Sequence, residues 1–182
     1  PEKDVSEAGM NWLTIGLRLI HIFAGVLWAG AAFAFAGFVA PAVRLAGQDG
    51  ARFMQTLTTR TRYSVAMAVA ALLNTGSGIW LFWRDSGGFR PVWLRTPTGL
   101  ALGLGGIFGI AAAVVGFAVL FRSTLRLQHI ASQVQQAGGP PNEVQAKEIS
   151  LHQARLRAGG HWLAALLAVT VAMMATARYL AF

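Results

Sequence analysis

Residues 12–43 read WLTIGLRLIHIFAGVLWAGAAFAFAGFVAPAV, and this stretch decides the fold. Its only ionisable side chains are those of Arg18 and His21. About 20 consecutive apolar residues in an α-helix are enough to cross the ~30 Å hydrocarbon core of a bilayer. The stretch is longer than that and almost uncharged. It therefore predicts a transmembrane helix that carries a histidine inside the membrane.

Three further apolar stretches follow, at residues 63–83, 98–121 and 161–182, with a polar loop at residues 122–160. The chain is 55% hydrophobic and 12% charged, whereas about a quarter of the residues in a soluble domain are charged. We therefore expect an all-α integral membrane four-helix bundle. The spans and loops occupy the 182 residues as a single transmembrane domain and leave no room for a separate catalytic domain.

The excess of basic residues is best explained by the loops of a membrane protein. The 15 Lys and Arg outnumber the 7 Asp and Glu, but they lie between the apolar stretches and form no single tract. This distribution argues against a nucleic-acid partner. The first and third loops carry nine of the basic residues and the opposite face carries six. The positive-inside rule therefore predicts that both termini lie outside.

Glycines line one face of the third predicted helix, at positions 99, 103, 105, 109 and 116. Small residues at such spacings allow two helix backbones to approach closely. We interpret this face mainly as a helix-packing surface, and a flat cofactor lying against it is the alternative. Before the fourth helix, Asn142 after two prolines is a candidate N-cap, which predicts that this helix begins well outside the bilayer.

His21 is the candidate functional residue, because ionisable side chains inside a membrane rarely persist without a partner or a task. Arg18 and Gly25 share its helix face. Gly25 would leave space for a porphyrin edge, and Arg18 could bind a propionate. The helix rise places Asn74 and Met173 roughly 16–18 Å above the inner face, near the level of His21. Asn74 is therefore a further candidate cofactor-binding residue and Met173 a candidate metal ligand. The same estimate places His161 at the inner face, too far away to bind the same iron.

Three interpretations of His21 remain open from the residues alone. It could donate a hydrogen bond to Asn74 or to a backbone carbonyl. It could be an axial ligand of a non-covalent haem b, with Met173, Met174, water or a partner's side chain as the second ligand. It could bind copper together with methionine, since soft thioether ligands suit Cu(I). A covalently attached haem is excluded because the chain has no cysteine.

Two segments resemble a known group of bacterial membrane proteins. Residues 18–35, RLIHIFAGVLWAGAAFAF, resemble its first-helix pattern, in which Arg-x-x-His precedes a small residue and Trp-x-Gly. Residues 152–180, HQARLRAGGHWLAALLAVTVAMMATARYL, are similar to its last helix. The group includes the copper resistance protein D family and the membrane domain of cytochrome-linked urate oxidases. The resemblance implies that His21 is a haem or metal ligand.

The resemblance also sets the remaining expectations. Membrane protoporphyrinogen oxidases resemble this chain in the first helix but have a lysine in the third helix. Residues 98–121 contain no lysine, which argues against that enzyme. We expect a haem b-binding electron-transfer subunit of a respiratory or related complex in the bacterial cytoplasmic membrane, with periplasmic termini. Its partners would be the lipid bilayer and other membrane subunits. The alternatives are a non-catalytic accessory or assembly subunit and a copper-handling protein. The sequence leaves open whether the chain is an enzyme.

Overall fold

The computed structural model describes the backbone of residues 2–180 and the side chains of residues 12–180. The last two residues of the expected fourth span, 181 and 182, lie outside the described part. The helices in chain order are α1 (Glu2–Ala34), α2 (Ala40–Leu45), α3 (Gly47–Thr59), α4 (Tyr63–Asp85), α5 (Pro91–Leu94), α6 (Pro97–Val115), α7 (Arg122–Ala137) and α8 (Glu143–Thr176). Two π-helical turns, Phe35–Val39 and Gly116–Phe121, join α1 to α2 and α6 to α7, and a 3₁₀ turn, Ala177–Leu180, follows α8.

Four helical stretches are long and apolar enough to cross a membrane, and residues 2–180 contain no β-strand. The expected all-α four-helix membrane bundle is therefore confirmed. We call these stretches span one (Trp12–Leu45), span two (Tyr63–Asp85), span three (Pro97–Ala137) and span four (Glu143–Leu180).

The segment expected as a polar loop, residues 122–160, is largely helical. Span three continues as α7 until Gly138, whose φ of 67° lies in the left-handed region that glycine adopts without strain. After a short turn, Asn142 and Gln145 form a reciprocal capping box that starts α8. The predicted cap and the extension of span four beyond the apolar region are thus confirmed, and span three has an extension beside it.

The four spans pack as two pairs, with span one against span two and span three against span four. Small side chains dominate where the pairs meet. The buried core consists of Trp28, Ala29, Ala70, Ala71, Ala112, Leu163 and Leu167, which come from all four spans. Alanine at the contact lets helix axes come close without a large interlocking core, as is common in membrane bundles.

Most large apolar side chains point away from this core. Phe23, Phe38 and Ile107 are 70%, 78% and 63% exposed, and many other aliphatic residues of the spans are exposed as well. A soluble bundle would bury such side chains, whereas lipid solvates them at no cost. The outer surface of the spans therefore fits a lipid bilayer environment, and the protein is a multi-pass membrane protein.

Two of the five glycines of span three, Gly105 and Gly109, lie against span four, whereas a Cβ on Gly103 would lie 3.5 Å from the Phe82 ring of span two. A Cβ placed on Gly105 would lie 3.1 Å from Cβ of Met173 and 3.3 Å from Cγ of Met174. A Cβ on Gly109 would lie 3.5 Å from the Thr170 methyl group. At these two positions the glycines allow close helix packing, which is the main interpretation drawn from the sequence.

Replacing Gly105 with leucine should weaken the packing of spans three and four, because the added side chain has no space beside Met173 and Met174. Overpacking of this kind costs about 1–3 kcal/mol. The free energy of unfolding, measured by detergent titration in mixed micelles, should fall accordingly. Gly106→Leu is the matched control, since a Cβ at Gly106 meets nothing within 4 Å. Equal stability of the two variants would contradict this packing.

Candidate functional site

The imidazole of His21 is bonded to the backbone of span two. Its Nδ1 lies 2.8 Å from the carbonyl oxygen of Asn74 and 3.3 Å from the hydroxyl oxygen of Ser77. A carbonyl oxygen only accepts hydrogen bonds, so Nδ1 carries the proton and donates it. Ser77 donates its own hydroxyl proton to backbone carbonyls of its helix, which leaves its oxygen free to accept from His21. In the neutral ring, Nε2 then has a free lone pair.

Asn74 returns a hydrogen bond to span one. Its side-chain Nδ2 donates to the carbonyl oxygen of His21 at 2.8 Å. Each residue thus donates a side-chain proton to the backbone of the other, and we call this reciprocal arrangement the His21–Asn74 pair. Interhelical hydrogen bonds in membranes contribute about 0.6 kcal/mol on average and about 1.7 kcal/mol at most. The pair holds two helices together and also fixes the rotation of both side chains.

Two glycines make room for the pair. A Cβ on Gly25 would lie 2.7 Å from Nδ2 of Asn74, and a Cβ on Gly78 would lie 2.8 Å from Cε1 of His21. Any side chain at either position would displace the partner residue. The space beside Gly25, where the sequence suggested a porphyrin edge, is therefore occupied by the Asn74 amide.

Arg18 lies one helix turn from His21 and forms an ion pair with Asp85 at the end of span two. Its guanidinium is 3.4 Å from the carboxylate, which is also 3.4 Å from Arg84. The Arg18 side chain is more than half exposed, so the pair contributes little to stability. Arg18, suggested as a propionate partner, thus has a counter-ion within the chain.

The second ring nitrogen of His21 is open. Nε2 has no hydrogen-bond partner among residues 12–180. Every side-chain nitrogen or oxygen of those residues that is fully enclosed by protein does have a partner. Nε2 is therefore not fully enclosed by protein. In metal-binding histidines, one ring nitrogen donates a hydrogen bond to a carbonyl or carboxylate and the other binds the metal, and the His21 ring has the same geometry. A histidine that only joins two helices can have it as well.

The other candidate ligands lie elsewhere in the bundle. The Cβ atom of Met173 packs near Gly105 on span three. His161 is exposed and its Nδ1 donates to the carbonyl of Arg157 in its own helix. Residues 12–180 contain no group of three or more His, Cys, Asp or Glu side chains that could hold a metal ion. The structure therefore brings together His21, Asn74, Gly25 and Arg18, and places Met173 in the interface of the other helix pair.

Sequence reasoning missed three members of this site: Ser77, Gly78 and Asp85. A signal was present, since Ser77 and Gly78 follow Asn74 at spacings of three and four and share its helix face. Asp85 is the first acidic residue after Asp49 and ends span two at the level where span one carries Arg18. Pairing the two would have required the relative height of spans one and two.

Comparison of the chain with family models, with curated proteins and with solved structures gives no match. What can be said of the site therefore follows from the chemistry of the residues described above.

Gly78→Ala should destabilise the protein because its methyl group displaces the His21 ring and weakens the His21–Asn74 pair. The expected loss in the free energy of unfolding is about 1–3 kcal/mol. Gly76→Ala is the matched control: it adds the same methyl group to the same helix, where a Cβ meets nothing within 4 Å. Detergent titration of both variants measures the difference. The contact is contradicted if the two unfold alike.

Proposed function

We propose that the protein is a membrane subunit that holds haem b through Nε2 of His21 and passes electrons within a membrane complex. The observation that supports this is the state of the His21 ring, whose Nδ1 is fixed by the Asn74 carbonyl while Nε2 has no partner among residues 12–180. A histidine ligand is usually held in this way by a hydrogen bond from its other nitrogen. Bound haem would supply a one-electron redox centre.

The contacts of the site limit how haem could be held. The Asn74 amide fills the space beside Gly25 and the ring contacts Gly78, so spans one and two leave no gap for a porphyrin between them at this level. Met173 and Met174 both lie against Gly105 of span three. The second axial ligand would therefore be water or a side chain of a partner subunit. Asn74 would position His21 by fixing its tautomer and orientation, and Arg18 would tune the local charge.

A non-catalytic accessory or assembly subunit is the second candidate. It is favoured by the completeness of the His21–Asn74 pair and by the Arg18–Asp85 ion pair, since His21 and Arg18 already have partners within the chain. In that function His21 would join helices only. The copper-handling alternative has no supporting contact, because Met173 packs against span three and a lone histidine is a poor copper site.

The reduced-minus-oxidised absorption spectrum of the protein, purified with its natural partners, tests the haem proposal. The wild type should give a b-type spectrum, and His21→Ala should abolish it because the axial ligand is lost. Arg18→Ala should shift the potential and keep the haem. His161→Ala is the matched control, since His161 is exposed and bonded only within its own helix, and its spectrum should be unchanged.

Two outcomes would decide against haem at His21. If the wild-type complex has no b-type spectrum and His21→Ala only lowers its yield, the accessory function is correct. If His161→Ala loses the spectrum together with His21→Ala, the iron is bound in a different arrangement from the one proposed.

The proposed localisation is the bacterial cytoplasmic membrane with both termini in the periplasm. It is supported by the nine basic residues in the ranges 44–62 and 122–157, against six on the other face. Reporter domains inserted after Arg62 and at Gly139, in the turn between α7 and α8, should report the cytoplasm. A reporter at the C-terminus should report the periplasm. The opposite pattern would show that the protein has the inverse orientation.

A further inference from the structure

A second feature lies at the end of the bundle where α3 packs beside the π-helical turns Phe35–Val39 and Gly116–Phe121. It is an apolar cavity of about 200 Å³ with walls from all four spans and from α3. Aromatic side chains form much of its surface: Trp28, Phe35, Tyr63, Phe117 and Phe121. No charged residue of the described chain lines it. From Trp28 to His21 the helix rises roughly 10 Å, so the cavity is separate from the His21 site.

Both π-helical turns found in residues 2–180 border this cavity. The turn Phe35–Val39 contributes Phe35, whose ring stacks on Tyr63 with centroids 6.3 Å apart. The turn Gly116–Phe121 contributes Phe117 and Phe121, whose rings meet edge to face at 6.4 Å. π-Helical turns are uncommon and are found frequently at functional sites, because the extra residue redirects side chains. Here both turns direct aromatic rings to one cavity.

Two hydroxyl groups at the cavity have no acceptor in the described chain. Tyr63 and Ser64 begin span two and line the cavity; neither hydroxyl has a hydrogen-bond partner among residues 12–180, and neither is fully enclosed by protein. By contrast, the hydroxyls of Thr58 and Thr124, which also line it, donate to carbonyls of their own helices at 2.9 Å. Two unpaired donors beside apolar walls fit a ligand that is apolar but carries an oxygen acceptor.

We propose that this cavity binds the head group of an isoprenoid quinone. A dry cavity of about 150 Å³ can hold benzene, so the volume here suits one substituted ring. The aromatic walls suit a flat ring, the absence of charge suits a neutral one, and a quinone carbonyl would accept from Tyr63 or Ser64. A phospholipid acyl chain would fill the same apolar space but offer these hydroxyls no acceptor. The proposal goes beyond the function proposed for His21 and does not depend on haem.

The test is binding of decylubiquinone to the full-length protein in phosphatidylcholine nanodiscs, measured by quenching of tryptophan fluorescence, since Trp28 lines the cavity. Quenching should saturate. Tyr63→Phe and Ser64→Ala should each weaken binding about two- to tenfold, the effect of one lost neutral hydrogen bond. Tyr179→Phe is the matched control, because it removes the other tyrosine hydroxyl of the chain, which lies outside the cavity.

A second pair of variants separates cavity binding from partition into the lipid. Gly160 lines the cavity and a Cβ there meets nothing within 4 Å, so Gly160→Leu should fill the cavity and abolish saturable quenching. Gly30→Leu should bind as the wild type does, since its Cβ also meets nothing but lies outside the cavity. Matching melting temperatures would show that both variants fold.

Native mass spectrometry of the protein distinguishes the two occupants. Loss of a bound phospholipid on addition of decylubiquinone, or retention of the quinone alone, supports the proposal. A phospholipid that the quinone does not displace would overturn it, as would unsaturable quenching in the wild type or saturable quenching that survives Gly160→Leu. The bound masses in native mass spectrometry identify the quinone whether or not haem is present, so either proposal can fail without the other.

Discussion

The cost of a polar side chain in hydrocarbon is the constraint on which this structure depends. His21 lies within a span and cannot rely on water, so its Nδ1–H bonds to the backbone of span two, and Asn74 bonds back to the backbone of span one. These bonds need the two helices close together, and the missing side chains of Gly25 and Gly78 provide that space. The contact between spans one and two at this level therefore follows from one histidine.

The two helix pairs are held by different means. Spans one and two use the His21–Asn74 pair, whereas spans three and four use direct backbone approach of Gly105 and Gly109 to Met173 and Thr170. Between the pairs lies a core made largely of alanine, with Trp28 as its one large aromatic residue. At the end where the π-helical turns lie, this core gives way to the aromatic cavity. The helices are thus packed tightly within each pair, and the cavity lies where the two pairs meet.

The sequence was sufficient for features that depend on a single helix. Long apolar stretches predicted the spans, and the prolines before Asn142 predicted the start of α8; hydropathy alone missed the helical extension of span three, because residues 122–137 are polar. Features that depend on the relative rotation of neighbouring helices could not be predicted from the sequence. Gly25 was correctly seen as a space, but the neighbour that fills it is Asn74, and Arg18 has Asp85 as a counter-ion. Haem at His21 stays a prediction, since no contact tests it.

The pairing of the spans also matters for the order in which the chain is made. His21 and Asn74 are 53 positions apart, and both are synthesised before span three begins at Pro97. Chains fold from the N-terminus during synthesis, so spans one and two can enter the bilayer as a hairpin whose internal polar groups are already bonded. Spans three and four form a second hairpin with its own glycine contact. Each half of the protein thus has its own contacts between helices, and the shared core forms when the two halves meet.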